Sequence, residues 1–272
     1  MGIIGVVSVL TLQSLIQKTN DREYNASRQA LLTRFSDAIR LMSLNNELTS
    51  SSDAEDFVKN YLSKYMKIAE FGTNHPDKIT AINGKTYNKS VYAQGGYSPT
   101  KYGFVLNNGY TVYLYYNPKC INDCLANCYA ANTVCINAIY DMNGLKGPNK
   151  AGKDIGFITA FYPDDTKVVA PLLHSDITKT GTFNEAGQIC SSLDKDTHVP
   201  LREEALGISL NASWYVGTRA PSKYIWTPYT IDKAQNYPTQ LKGMGASIQD
   251  DNSVFIRASS KNSSLSVYCV KY

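Results

Sequence analysis

The string Asp141-Met142-Asn143-Gly144-Leu145-Lys146-Gly147-Pro148-Asn149-Lys150-Ala151-Gly152-Lys153-Asp154 places hard oxygen donors on a glycine-rich segment. Asp141, Asn143 and Asp154 can offer oxygens to Ca²⁺, a hard cation that takes about 6–8 of them. An EF-hand loop would need an oxygen donor at Leu145 and a carboxylate at Gly152, so the segment is not that motif. The same residues also read as a turn in which Asp and Asn side chains accept from backbone amides. Just upstream lie Cys120, Cys124, Cys128 and Cys135. Four thiolates suffice for zinc, but the usual paired Cys-x2-Cys knuckles are missing. Two disulfides suit the absence of any redox motif and an oxidising compartment, with all pairings open.

Catalytic signatures are absent. His75, His174 and His198 lie far apart in sequence, none within a metal or nucleophile motif, and no phosphate loop, paired-carboxylate signature or nucleophile elbow occurs. The chain is therefore read as a non-enzyme. Contact chemistry is better supplied: between Trp214 and Ser264 lie Tyr215, Arg219, Tyr224, Tyr229, Asn236, Tyr237, Asn252, Ser260 and Asn262. Tyr and Arg give large, semi-rigid contact area and Ser and Asn give adaptable hydrogen bonds, the mix of a binding surface. Trp214 and Trp226 read as core, since an indole can bury most of its area while its N–H finds a carbonyl.

Composition narrows the partner. The formal net charge of +4 is spread along the 272 residues and not gathered into a basic stripe, which argues against nucleic acid. Charged residues make up only 18%, and tyrosine, with 20 copies, dominates the aromatic content.

The elements that must position these residues start with one long helix. Gly2 to Gln17 is apolar and uncharged, and flows without a loop signal into an amphipathic pattern reaching about Leu44, with Leu31, Phe35, Ala38, Ile39 and Met42 on one stripe. A positively charged start and a small-residue cleavage site, the marks of a secretory signal, are not evident. A bilayer span needs about 20 apolar residues, a few more than this run holds. A second helical pattern runs from about Asp53 to Glu70, with Ser51, Ser52 or Asp53 as its N-cap. Gly103–Leu106, Asn107-Asn108-Gly109 and Tyr110–Tyr116 read as a β-hairpin. Ile136–Tyr140 and Ile155–Tyr162 read as further strands, the second turning through Pro163-Asp164-Asp165 into Lys167-Val168-Val169. Glu185–Cys190 reads as a helix and the last ninety or so residues as a second domain.

Gly2-Ile3-Ile4-Gly5-Val6-Val7, followed by Leu15-Ile16-Gln17-Lys18 and the amphipathic stretch, resembles the interior of the N-terminal helix of a type IV pilin or type II secretion pseudopilin. That family carries a cleavage glycine, an aromatic first mature residue and a glutamate around this segment, and the sequence begins at Met1 inside the motif. The Asp141–Asp154 string is similar to a loop of pilin-like proteins from gut and aquatic bacteria. The resemblance implies a long helix packed on an antiparallel sheet, contact with other pilin subunits through that helix, an inner-membrane anchor before assembly, and a cell-surface or pilus location afterwards.

The C-terminal order, from Glu185-Ala186-Gly187-Gln188-Ile189-Cys190 through Val199-Pro200-Leu201-Arg202-Glu203-Glu204-Ala205 and Tyr224-Ile225-Trp226-Thr227 to Val267-Tyr268-Cys269-Val270-Lys271-Tyr272, resembles the C-type lectin-like and formylglycine-generating-enzyme-like superfamily. The expected organisation is thus α+β throughout: a pilin-like helix over 1–50, a helix-and-sheet domain over 51–175, and a lectin-like domain over 176–272. The resemblance implies a bridge between Cys190 and Cys269. The strings E-P-N, Q-P-D and W-N-D, which hold calcium and sugar in that superfamily, do not occur, so the implied ligand is a protein or cell surface. Some members are diversified by retroelements at codons for Asn, Tyr and Ser, which this composition would suit.

Overall fold

The structure, a computed structural model, describes residues 2–74, 76–88, 100–122, 133–144, 146–162, 167–174, 179–216, 225–231, 242–248, 254–260 and 265–271. It is a mixed α+β fold built on one N-terminal helix and a six-stranded antiparallel sheet.

The first helix, α1 (Gly2–Leu44), is continuous over 43 residues. At 1.5 Å per residue it is roughly 65 Å long. Its stripe at helical spacing, Leu31, Phe35, Ala38, Ile39 and Met42, is fully buried against the sheet, whereas Asp21 to Glu23, Asn25 and Ala26 are mostly exposed. Among the described side chains of α1, the packed stretch therefore lies in the C-terminal half of the helix.

The Asp53 N-cap is present: its side chain accepts from the Asp56 backbone N–H at 2.9 Å and opens α2 (Ala54–Asp56). The helix expected to run on to Glu70 is shorter. It passes into a π-helical stretch, Phe57–Tyr61, and a 3₁₀ turn, Leu62–Lys64. Ile68–Phe71 then forms β1, paired with the far end of the hairpin strand that precedes Asn107. Phe57 at the start of the π stretch stacks on Tyr116 with ring centroids 4.2 Å apart, and the Tyr116 hydroxyl donates to the Leu48 carbonyl. Tertiary packing of these aromatics overrides the helical periodicity.

After the small hairpin β2 (Lys78–Thr80) and β3 (Thr86–Asn88) come β4 (Thr100–Leu106) and β5 (Thr111–Asn122), joined by the expected turn with Gly109 at φ +83°. Then follow β6 (Thr133–Asp141), β7 (Ile155–Tyr162) and β8 (Lys167–Val169), giving the order β1-β4-β5-β6-β7-β8. Successive side chains on a strand point to opposite faces. Val112, Leu114 and Tyr116 on β5, Ile136 and Ala138 on β6, and Ile158 and Ala160 on β7 pack with α1. Tyr115, Ile139, Phe157 and Phe161 pack on the opposite face.

That opposite face is covered from beyond residue 175. After β9 (Leu172–Leu173) and β10 (Thr180–Gly181) come α3 (Phe183–Leu193) and α4 (Arg202–Tyr215). Ala205, Ile208, Tyr215 and Val216, with Tyr268 and Val270, form one buried cluster with the sheet residues just named. Gly207 lets the helix come close: a Cβ there would lie 3.0 Å from the Phe157 ring and 3.1 Å from Thr159 Oγ1. The remaining strands, β11 (Ile225–Ile231), β12 (Lys242–Ile248), β13 (Val254–Ser260) and β14 (Leu265–Ser266), complete a second sheet of order β10-β14-β11-β12-β13. α4 contacts β7 and β8 of the first sheet and β11, β12 and β13 of the second. The closing strand β15 (Val270–Lys271) pairs with β9. Residues on both sides of the boundary expected at 175/176 thus share one core.

Candidate functional site

The loop between β6 and β7 brings the three expected cation donors together. Asp154, with no exposed surface, is its hub: Oδ1 accepts from the Lys150 backbone N–H at 2.7 Å, and Oδ2 accepts from the Asn149 N–H at 2.8 Å and the Asn143 side-chain amide at 3.1 Å. Asp141, 3% exposed, accepts through Oδ1 from the Asn143 N–H. So the turn reading holds for Asp154, whose carboxylate satisfies backbone amides. It does not exhaust the loop. Asp141 Oδ2, Asn143 Oδ1 and Asn149 Oδ1 are buried with no hydrogen-bond partner among the described residues. Burial pushes the Asp141 carboxyl up to about 7, with the Asp154 charge adding and the Asn143 and Gly144 amides opposing.

The backbone holds this arrangement by local conformation. Gly144 and Gly152 take positive φ, as does Asn149 at +49°, a conformation asparagine tolerates better than most residues. Asn149 also accepts through its carbonyl from Thr80 N–H, and Thr80 accepts in turn from Ala151, which ties the loop to β2. Lys153 Nζ lies 4.0 Å from Asp21 Oδ1, which sets the loop beside the stretch of α1 that leaves the sheet. Among the described residues no three His, Cys, Asp or Glu side chains gather around a common point, so any cation here would rest on two carboxylates plus amide and carbonyl oxygens. Asn149 was not among the expected donors. Its signal in the sequence is the Pro148-Asn149 step between two glycines.

The C-terminal part is tied at its ends. Cys190 on α3 and Cys269 are joined by a disulfide, with Cα atoms 5.3 Å apart, and both are buried with Ala186 and Val267. α3 opens with a capping box in which the Glu185 carboxylate accepts from the Thr182 N–H. Glu204, in the first turn of α4, reaches back to accept from the Leu201 N–H at 2.7 Å and lies 3.3 Å from His198 Nε2. Burial raises its pKa, against the pull of the Leu201 N–H and of His198. No protein-family model, curated protein or solved structure matches this chain.

The expected contact residues divide. Tyr215 belongs to the core: it is 1% exposed and meets Phe157 edge-on at 5.0 Å, and desolvation pushes its phenol up to about 12. The period-3.6 face of α4 that covers the first sheet carries it inward. Tyr229 falls on β11 where pairing with β12 shifts register, and Ser260 ends β13 opposite Lys242. Arg219, Tyr224, Asn236, Tyr237, Asn252 and Asn262 lie outside the described residues, as do Cys124 and Cys128. Cys120 on β5 and Cys135 on β6 stand next to the Ile121↔Val134 pair, where the register between the two strands shifts.

One buried polar pair had no reading in the sequence. Asn137 on β6 and Asn211 on α4 exchange amide hydrogen bonds at 3.1 and 3.0 Å, and Thr159 on β7 donates to Asn137 Oδ1. Arg28, which its spacing sets off the apolar stripe of α1, is nevertheless 4% exposed, and its Nε and both terminal nitrogens have no hydrogen-bond partner among the described residues.

Proposed function

We propose that the chain is a pilin-like filament subunit that displays a lectin-like, ligand-binding face from its C-terminal part. The observation that carries this reading is the form of α1. Among the described side chains the helix packs on the sheet from about Tyr24 onward, while its backbone continues to Gly2. Residues 2–20 add roughly 28 Å of helix at 1.5 Å per residue. Gly2 to Gln17 carry no charge, so water is a poor environment for that length of helix. No helix among the described residues is long and apolar enough to cross a membrane. Packing against the same stretch of other copies then buries the tip, with a cell-surface or pilus location and an inner-membrane stage before assembly. α4 holds the C-terminal part against the first sheet, and β11, β12 and β13 supply the displayed face in this reading. Its ligand in this reading is a protein or another cell surface, not a nucleic acid.

The test is assembly of the full chain, followed by electron microscopy and light scattering, with Val9→Lys and Leu12→Glu on the apolar tip. Filaments or large helical oligomers are expected for the natural sequence and their loss for either variant, with unchanged far-UV spectra. A chain that stays monomeric at high concentration, or assembles equally well with a charged tip, sinks the filament reading. Display is tested separately: Arg219→Ala and Tyr237→Ala should abolish saturable adhesion to a cell-surface panel without changing assembly.

A further inference from the structure

We propose that the β6–β7 loop is a calcium site, in which Asp141 Oδ2, Asn143 Oδ1, Asn149 Oδ1 and the Asp154 carboxylate bind one Ca²⁺. The argument begins with what the loop lacks. A buried polar atom without a partner costs about 1–3 kcal/mol, and more when it is charged. Three such oxygens occur in this one loop. All belong to acceptors, and their residues form one connected chain of hydrogen bonds: Asn143 and Asn149 both donate to Asp154 Oδ2, and the Asn143 N–H also donates to Asp141 Oδ1. Two buried carboxylates therefore stand close together, and among the described residues neither has a lysine or arginine ion pair; the nearby Lys153 faces Asp21 instead.

Hydrogen-bond donors are not what the loop is missing. The backbone N–H groups of Asn143, Asn149 and Lys150 are already spent on the two aspartates. What remains is a set of oxygens, two of them on amides, with a formal charge of −2. Neutral amide and anionic carboxylate oxygens without sulfur or imidazole select a hard cation. Calcium fits better than magnesium, because it accepts irregular sets of oxygens, whereas magnesium demands a near-ideal octahedron and keeps its waters. The loop's position gives the ion a structural role. It would fix the crossing between β6 and β7 to β2 and to the stretch of α1 near Asp21, through the Thr80 and Lys153 contacts.

The experiment uses the full chain stripped with EDTA and then titrated with CaCl₂ or MgCl₂, read by calorimetry, thermal unfolding and tyrosine-sensitised Tb³⁺ luminescence. Saturating Ca²⁺ should raise the melting temperature on the order of 5 °C, with saturable heat and a dissociation constant on the order of 10⁻⁴ M, in the range of extracellular calcium modules. Asn149→Gly keeps the positive φ and the backbone N–H to Asp154, and removes the side-chain amide whose oxygen is unpaired without the ion. It should melt like the natural chain in EDTA yet lose the calcium shift and the Tb³⁺ signal. Asp141→Asn keeps an acceptor for the Asn143 N–H and removes the repulsion. It should be at least as stable as the natural chain in EDTA and less stable in calcium, a reversal of order that a purely structural aspartate would not give. The proposal is overturned if calcium produces no saturable heat and no shift, if magnesium produces the same shift, or if both variants keep the response.

Discussion

Replacing Asn211 by leucine tests whether the C-terminal helix and the first sheet are one cooperative unit. Asn211 and leucine are close in size, so the substitution removes polar groups with little change of volume. In the natural chain the Asn137 side-chain amide donates to Asn211 and its oxygen accepts from Asn211 and Thr159. Leucine leaves the Asn137 amide, in a residue 3% exposed, without an acceptor, and takes away one of the two donors to its oxygen. An orphaned buried donor costs about 1–3 kcal/mol and a lost hydrogen bond about 1, so the expected destabilisation is about 2–4 kcal/mol. The double variant Asn137→Leu/Asn211→Leu removes both members of the pair, and should cost at least about 1 kcal/mol less than the sum of the single changes. Urea unfolding followed by tryptophan fluorescence, which reports Trp214 and Trp226, and by far-UV circular dichroism, dominated by α1, supplies the energies. Both probes should move together, because Ala205, Ile208 and Tyr215 share a core with Phe157 and Ile139. A loss below about 0.5 kcal/mol, or a fluorescence transition that shifts while the helical one stays, would refute the shared core.

Two further predictions concern the C-terminal part. The Cys190–Cys269 bond spans 79 residues of sequence, for which the chain-entropy model gives about 4.5 kcal/mol. Cys190→Ala/Cys269→Ala should lower stability by about that amount and match the natural chain after reduction; a change below about 1 kcal/mol would show that packing alone holds α3 to the closing strand. Glu204 is buried with its pKa raised, so its neutral form is the one the fold favours. The sign follows: its favourable contribution is complete below the ordinary carboxylate range and is lost as pH rises through the raised value. Glu204→Gln, which still accepts from Leu201, should therefore gain on the natural chain as pH climbs from about 4 to neutrality, measured by thermal unfolding, and a gap that is constant with pH contradicts the burial argument.

Periodicity made much of the first sheet and its helix legible. Leu31, Phe35, Ala38, Ile39 and Met42 recur at helical spacing because one face of α1 meets the sheet, and Asn107-Asn108-Gly109 marks a turn because its last residue needs positive φ. The helix expected through Glu70 misled for a definite reason. Tyr65 and Ile68 continue the helical pattern, but the Lys67 carbonyl accepts from the Asn107 N–H at the hairpin end, and β1 begins at the next residue. The donors Asp141, Asn143 and Asp154 were visible as a string, whereas the orphaned oxygens arise only when the chain closes around them. Tyr215 looked like a contact residue because composition does not say which face of a helix is covered twice.

That double cover bears on how a displayed face would stay in register with a stem. The first sheet is packed on both sides: α1 fills one face, and α4 fills the other while also touching β11, β12 and β13. No strand of a sheet buried on both faces can slip by one residue against its neighbours without exchanging its two sets of side chains, since the period is two. The polar pair Asn137–Asn211 strengthens that constraint, because any offset of α4 along the strands separates two amides whose partners lie only in one register. Apolar contacts alone would tolerate such an offset at modest cost. The amide pair makes it expensive, so the orientation of α4, and of the strands that rest on it, is set by the same sheet that grips the C-terminal half of α1.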